Sequence, residues 1–347
     1  MNKLPSWDGV LAARRRMRGL TLIELLVAMV LGLMLILAAV AALTVARRGF
    51  TTVDAAAQLR DNGRFAAEVI QRVGVQAGYR DVFFAARQRQ SEANPLPNIM
   101  GFNNAEVDAT NPLTAAVGRG SAAVAGYGSD VLIVRYQAAQ LHSQSSDATL
   151  KLVSDKSMID CAGNPAASVV DIDDPTARDQ RMASILHVAI NQGEPALMCT
   201  FSSDGITFGA ATPIVQGVEN FQVLYGVDTV TPNTAPATTL PAPNVPTAFL
   251  RADEMTVAGD SAATNANWRR VRSIRIGLVL RGAPNSSQDR ADQTYFPFGE
   301  GKGSPGGGAG SAFASVGDPG TSFAPTPDGR LRQAISFTIH LRNNQGA

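Results

Sequence analysis

Arg14-Arg15-Arg16-Met17-Arg18-Gly19-Leu20-Thr21-Leu22-Ile23-Glu24-Leu25 is a cluster of cations, a glycine, and the start of an apolar run that holds one acid. The run continues through Leu26, Val27, Met29, Leu31, Leu33, Leu35, Leu37 and Leu43, and the next charge after Glu24 is Arg47. A bilayer core takes about 20 apolar residues in a helix, so Leu20 to Ala46 is long enough to cross one. A secretory signal has a shorter apolar core, roughly 7–15 residues, and then a small-residue cut site. Here the run is too long, and Ala38, Ala39, Ala41 and Ala42 read as helix filler. The preceding arginines place the N-terminal end in the cytoplasm and the bulk of the chain on the far, oxidising side.

Glu24 then needs an explanation, because a charge within the apolar span costs roughly 2.5–3.5 kcal/mol on insertion scales. One reading is a plain anchor whose acid snorkels to the interface. The other is a cut after Gly19, which frees an α-amine on Leu20, four residues before the acid. That amine can neutralise the carboxylate at low dielectric, in the same chain or a neighbour, and offset part of its desolvation.

Gly19-Leu20-Thr21-Leu22-Ile23-Glu24, behind a basic leader, resembles the class III signal of type IV pilins. The resemblance implies that a prepilin peptidase cuts after Gly19 and methylates Leu20, and that Glu24, with Thr21 beside it, docks the subunit into a growing filament. The first mature residue is most often Phe in that family and is Leu here, a modest departure.

Charge and cysteine content agree with an exported structural protein. The 347 residues carry a net charge of +1, unevenly placed. Residues 1–19 hold Lys3, Arg14, Arg15, Arg16 and Arg18 against Asp8, and the remainder has 25 basic and 28 acidic side chains, a net −3. Nucleic-acid binding therefore gains no support from charge. A DNA-uptake role would need a basic stripe, and Arg269, Arg270, Arg272, Arg275 and Arg281 offer at most a short one, with the first three expected in a loop or strand start. The two cysteines, Cys161 and Cys199, would be free thiols in a cytosolic chain and a disulfide in an exported one. The membrane orientation favours the bridge, with a structural role rather than a redox one, since the pair is not a C-x-x-C.

Beyond the span the helix is expected to continue. Val53, Ala56, Leu59, Ala66, Val69, Ile70, Val73 and Ala77 form a helical stripe, with Asp61, Arg64, Glu68 and Arg72 mostly off it. Gly49 and Gly63 would weaken it locally and mark bends, and Gly78 is its stop. Residues 81–128 read as a loop-rich connection. Strand signals follow at 130–136, 150–153, 185–190 and 221–227. They are clearest where Ile274, Ile276, Leu278 and Leu280, and later Ile335, Phe337, Ile339 and Leu341, alternate with other residues. Stretches 232–246 and 299–320 read as flexible loops.

The expected fold is α+β: a long N-terminal helix, half membrane and half amphipathic, packed on an antiparallel sheet domain. The segments are a leader at 1–19, a span at 20–46, an amphipathic half at 47–79 and a periplasmic β-rich domain at 80–347. Pro195–Cys199, Val218–Asp228, Trp268–Leu280 and Leu331–Asn343, in that order behind the leader, resemble PilW-type minor pilins. That resemblance implies the type IV pilin fold and a priming complex at the pilus tip, with roles in adhesion and twitching motility. It also implies contact with other minor pilins, the major pilin, the inner-membrane assembly platform and a large PilY-type adhesin. A J-type minor pseudopilin of type II secretion is the alternative.

Enzyme chemistry and cofactors are not expected. Gly301-Lys302-Gly303-Ser304 fails as a phosphate loop because glycine follows the lysine. Asp171-Ile172-Asp173-Asp174 lacks the spacing of a calcium loop and reads as a solvated turn. His142, His187 and His340 are scattered, with no zinc spacing and no evident nucleophile.

Overall fold

The computed structural model describes residues 19, 21–81, 94, 96–119, 126–141, 153–166, 169, 181–237, 244–300 and 320–344. The leader residues 1–18, Leu20, His142, Asp171–Asp174 and the loop centres 238–243 and 301–319 lie outside them.

One helix, α1 (Leu22–Gln76), runs for 55 residues without interruption at Gly49 or Gly63. It belongs to two compact units that divide after Thr51. In the first unit its residues are exposed, save half-buried Gly32. In the second unit Ala55, Leu59, Gly63, Ala66, Ile70, Val73, Gly74 and Gln76 are buried. These residues recur mostly at three- and four-residue steps, one face of a 3.6-residue repeat. The expected stripe needs correcting at its margins. Val53 is 70% exposed, and Ala56 and Val69 are half-buried. Gly63, expected as a weak point, is a packing position instead. A Cβ there would meet Ile335 Cδ1, with Leu280 Cδ1 at 3.6 Å, and one on Gly74 would lie 2.9 Å from Ile339 Cδ1. The two glycines let the helix backbone approach the sheet.

That sheet has four antiparallel strands in the order β11 (Arg332–His340), β10 (Val271–Arg281), β8 (Val218–Val227) and β9 (Ala248–Leu250). Nine residue pairs join β10 to β11 with no irregularity, from Ser273↔His340 to Arg281↔Arg332. The alternation read in the sequence is the division between faces. Ile335 and Phe337 are half-buried and Ile339 is buried, whereas Ala334, Ser336, Thr338 and His340 are exposed. The opposite face of β8 and β10 is closed by Pro297, which seats against Gly277, and by a cluster of Leu224, Phe249 and Phe298.

A second antiparallel sheet orders β1 (Ile99–Phe102), β4 (Val131–Tyr136), β5 (Met182–Asn191), β6 (Glu194–Ser202) and β7 (Thr212–Gln216). A small hairpin pairs β2 (Ala105–Val107) with β3 (Ala116–Gly118). Three short strands thus occupy the stretch expected to be only connection. They are too short, at three or four residues, for their alternation to stand out. A short helix, α2 (Ser261–Trp268), capped by Asp260 Oδ1 on the Ala263 N–H at 2.8 Å, was not expected either. Arg269 caps its far end, and Arg272 lies inside β10.

One hydrophobic core joins α1 to both sheets. The sheets are stitched where the chain enters β4. The Asp130 N–H donates to the Phe221 carbonyl at 2.7 Å. The Asp130 carboxylate accepts from Asn104 N at 3.0 Å and Val223 N at 2.8 Å.

Candidate assembly and processing site

The start of α1 explains why the membrane acid sits where it does. Thr21 precedes the first helical residue and Glu24 lies three further on. The Thr21 N–H and hydroxyl both donate to Glu24 Oε2 at 2.9 Å, and the Glu24 N–H returns a bond to Thr21 Oγ1 at 3.3 Å. This is the reciprocal capping box that S/T-x-x-E forms, and it satisfies backbone donors that no helical carbonyl reaches. The Thr-x-x-Glu spacing was the signal that could have revealed it. Only one carboxylate oxygen is used. Oε1 makes no hydrogen bond among the described residues. Gly19 is exposed, with nothing within 4 Å of a Cβ built on it. From Leu22 onward the helix is apolar and long enough to cross a membrane.

The two cysteines meet. Cys161 and Cys199 are joined, with Cα atoms 5.6 Å apart, and both are buried. The bridge ties the segment 153–166 to β6, and that segment grips the end of α1. Gln76 Nε2 donates to the Ile159 carbonyl at 3.0 Å, and the Ile159 N–H donates to Gln76 Oε1 at 2.9 Å. The side-chain amide thus takes the place of a strand backbone. Tyr136 Oη donates to the same Ile159 carbonyl at 2.8 Å. Gln76 carried no signal in the sequence, since a glutamine near a helix end reads as surface.

A charged cluster was also missed. Glu219 accepts from Arg332 Nε at 2.6 Å and from Arg281 Nη1 at 3.3 Å, and Glu194 accepts from Arg281 at 2.8 Å and Arg330 at 2.9 Å. Asp328 closes the cluster on Arg332 at 2.9 Å. The cluster pins β6 and the C-terminal strand to the end of β10. Its hydrogen bonds hold the Arg332 guanidinium firmly protonated against its burial and hold Glu194 below the usual carboxylate range.

The histidines are placed as structural residues. His187, on β5, is buried and shares a 3.0 Å hydrogen bond with Thr200 Oγ1. Burial, with Arg119 nearby, lowers its pKa to about 4. His340 is exposed at the end of β11. Among the described residues no group of three or more His, Cys, Asp or Glu side chains is arranged to hold a metal.

A capped apolar helix with an exposed glycine before it, its later turns packed on an antiparallel sheet, fits a prepilin of the type IV class. The prokaryotic N-terminal methylation motif matches residues 14–40, and the family model for type IV pilus-assembly protein W matches residues 186–343. Together these matches support the PilW family of type IV pilus-assembly proteins, with a class III prepilin motif at the N-terminus. The chain is a structural protein and not an enzyme. The motif implies processing by a peptidase and assembly with other pilins, and with the apolar helix it fits a single-pass inner-membrane pilin. No curated protein sequence matches the chain. Among solved structures, a type IV-like pilin from Thermus thermophilus is similar over 82% of this chain and 97% of its own, at 13% identity and a TM-score of 0.35. So distant a likeness carries no argument here.

Proposed function

We propose that this chain is a minor pilin that primes pilus assembly within a tip complex and supports adhesion and twitching motility. Prepilin peptidase removes residues 1–19 and methylates Leu20. The span at 20–46 holds the subunit in the inner membrane, the helical half at 47–79 carries it onto the domain at 80–347, and Glu24 docks it. Its partners are other minor pilins, the major pilin, the assembly platform and a PilY-type adhesin at the tip on the cell surface. The observation that supports this reading is the half-used carboxylate. Thr21 holds Glu24 Oε2 in place, while Oε1, with no hydrogen bond among the described residues, can accept an ammonium group. Before the cut, Leu20 offers only an amide nitrogen. After it, a cationic amine appears on the residue adjoining the cap, and in a bilayer such a pair is strongly favoured over either charge alone.

The test is Glu24→Ala in a retraction-deficient strain, with surface pili counted by electron microscopy and the chain quantified in the membrane. Pilus numbers should fall to those of a strain lacking the chain, at unchanged membrane levels. Undiminished piliation would remove Glu24 from assembly. Intact mass of the exported chain tests processing, through loss of residues 1–19 and the gain of one methyl group.

A further inference from the structure

Sheet edges expose unpaired backbone groups, and proteins blunt them with short strands, proline, bulges or charge. Three of the four outer edges here are blunted. β1 has four residues and β9 three. β7 carries Pro213 and meets β6 through a register shift. β11 is different: it has nine residues and an unbroken register with β10. It contains no proline, and no acid, lysine or arginine between Gln333 and Ile339. Among the described residues nothing pairs with its outer side. Its alternate N–H and C=O groups therefore face outward as a ready template for another strand.

The surroundings say what that strand looks like. Gly63 and Gly74 of α1 lie over Ile335 and Ile339. At 100° per residue, Arg60, Ala67, Gln71 and Arg64 fall on the helix flank just beyond them, over the free edge of β11. Asp61 and Glu68 lie farther round, and Glu68 is engaged by Arg72. Arg60 and Arg64 are exposed, and they make no ion pair among the described residues. Arg342, also exposed, stands just past the end of the strand.

Contacts advance together along both elements, from Gly63 with Ile335 to Val75 with Asn343, so β11 runs parallel to this part of α1, and a strand added antiparallel to β11 runs against the helix.

We propose that the outer edge of β11 is a strand-addition site for an extended segment of a different polypeptide. That segment runs antiparallel to β11, alternates β-branched residues, and carries acidic residues at its ends that meet Arg60, Arg64 and Arg342.

The test uses the full chain in detergent and two nine-residue peptides alternating valine and threonine, one with aspartate at both ends and one with lysine. Amide hydrogen exchange is read along β11. At ten times its Kd the acidic peptide should slow exchange of the outward amides about tenfold, and the lysine-ended peptide should not. Ser336→Lys with Thr338→Lys, both on the exposed face, should abolish that protection without changing thermal unfolding. No protection by the acidic peptide, equal protection by both, or protection that survives the lysine pair would overturn the proposal. So would protection that grows with the chain's own concentration and needs no peptide, which would make a second copy the occupant.

Discussion

Replacing the bridged pair, Cys161→Ala with Cys199→Ala, isolates the contribution of the disulfide to the globular unit. The two residues are 38 apart in sequence. Freeing a loop of that size returns about 13 cal/mol/K of entropy to the unfolded chain, or about 4 kcal/mol at 25 °C. A unit running from Thr52 to Ala347 unfolds with an entropy of roughly 600 cal/mol/K, at about 2.1 per residue, so Tm should fall by about 6 °C. Both cysteines are buried, and alanine adds no polar atom to the core. The loss should also have a location. The 153–166 segment reaches α1 through Gln76 and Ile159, so exchange at the Ile159 amide should accelerate more than exchange in β10. The assay is thermal unfolding of the full chain in detergent, paired with residue-resolved hydrogen exchange. A Tm change under about 2 °C, or unaltered exchange at Ile159, would refute the argument that the bridge holds this segment against the helix.

Gly101→Ala should destabilise by about 1–3 kcal/mol, measured by urea unfolding, because the added methyl would press on the Val131 carbonyl and the Tyr225 hydroxyl. Glu219→Gln should cost about 2 kcal/mol by the same measurement, since it weakens charged hydrogen bonds to Arg332 and Arg281. A third prediction concerns pH. Burial raises the folded pKa of Asp130 to about 7, so its contribution is full below its unfolded value near 4 and is lost as pH rises to 7. His187 has the opposite sign: its folded value near 4 lies below the unfolded one, so its contribution is present above pH 6.5 and lost as pH falls toward 4. Each changes stability by about 1 kcal/mol per pH unit across its window, and together they nearly cancel. His187→Gln should therefore lose stability steadily from pH 4 to 7, and a flat profile for that variant would contradict the assignment.

The helix, the late strands and the cysteine pair were legible because each follows a rule with a period or a chemical requirement. The apolar run after Gly19 is long enough to be unmistakable, and Ile274, Ile276, Leu278 and Leu280 keep a period of two. The margins were not legible. Val53 belongs to the apolar stripe by residue type but is exposed, whereas Gly63, discounted as a weak point, is buried, as is Gly74. Propensity describes a helix alone, and here tertiary packing decided. Strands β1 to β3 are too short to show alternation. Gln76, Glu219 and Asp130 act through partners far away in sequence, and no local spacing announces such a pairing.

The glycine positions on α1 also set how the molecule carries load. Ile335 and Ile339 sit like pegs in notches at Gly63 and Gly74, eleven residues or about 16 Å apart along the axis. A tug along the helix therefore cannot slide it over the sheet without lifting both pegs. The load passes as shear into β11 and across the nine paired residues that join it to β10. Sheared strands resist together, whereas strands pulled apart from one end yield one pair at a time. The glycines that lower helix propensity thus give the domain its mechanical grip on the helix.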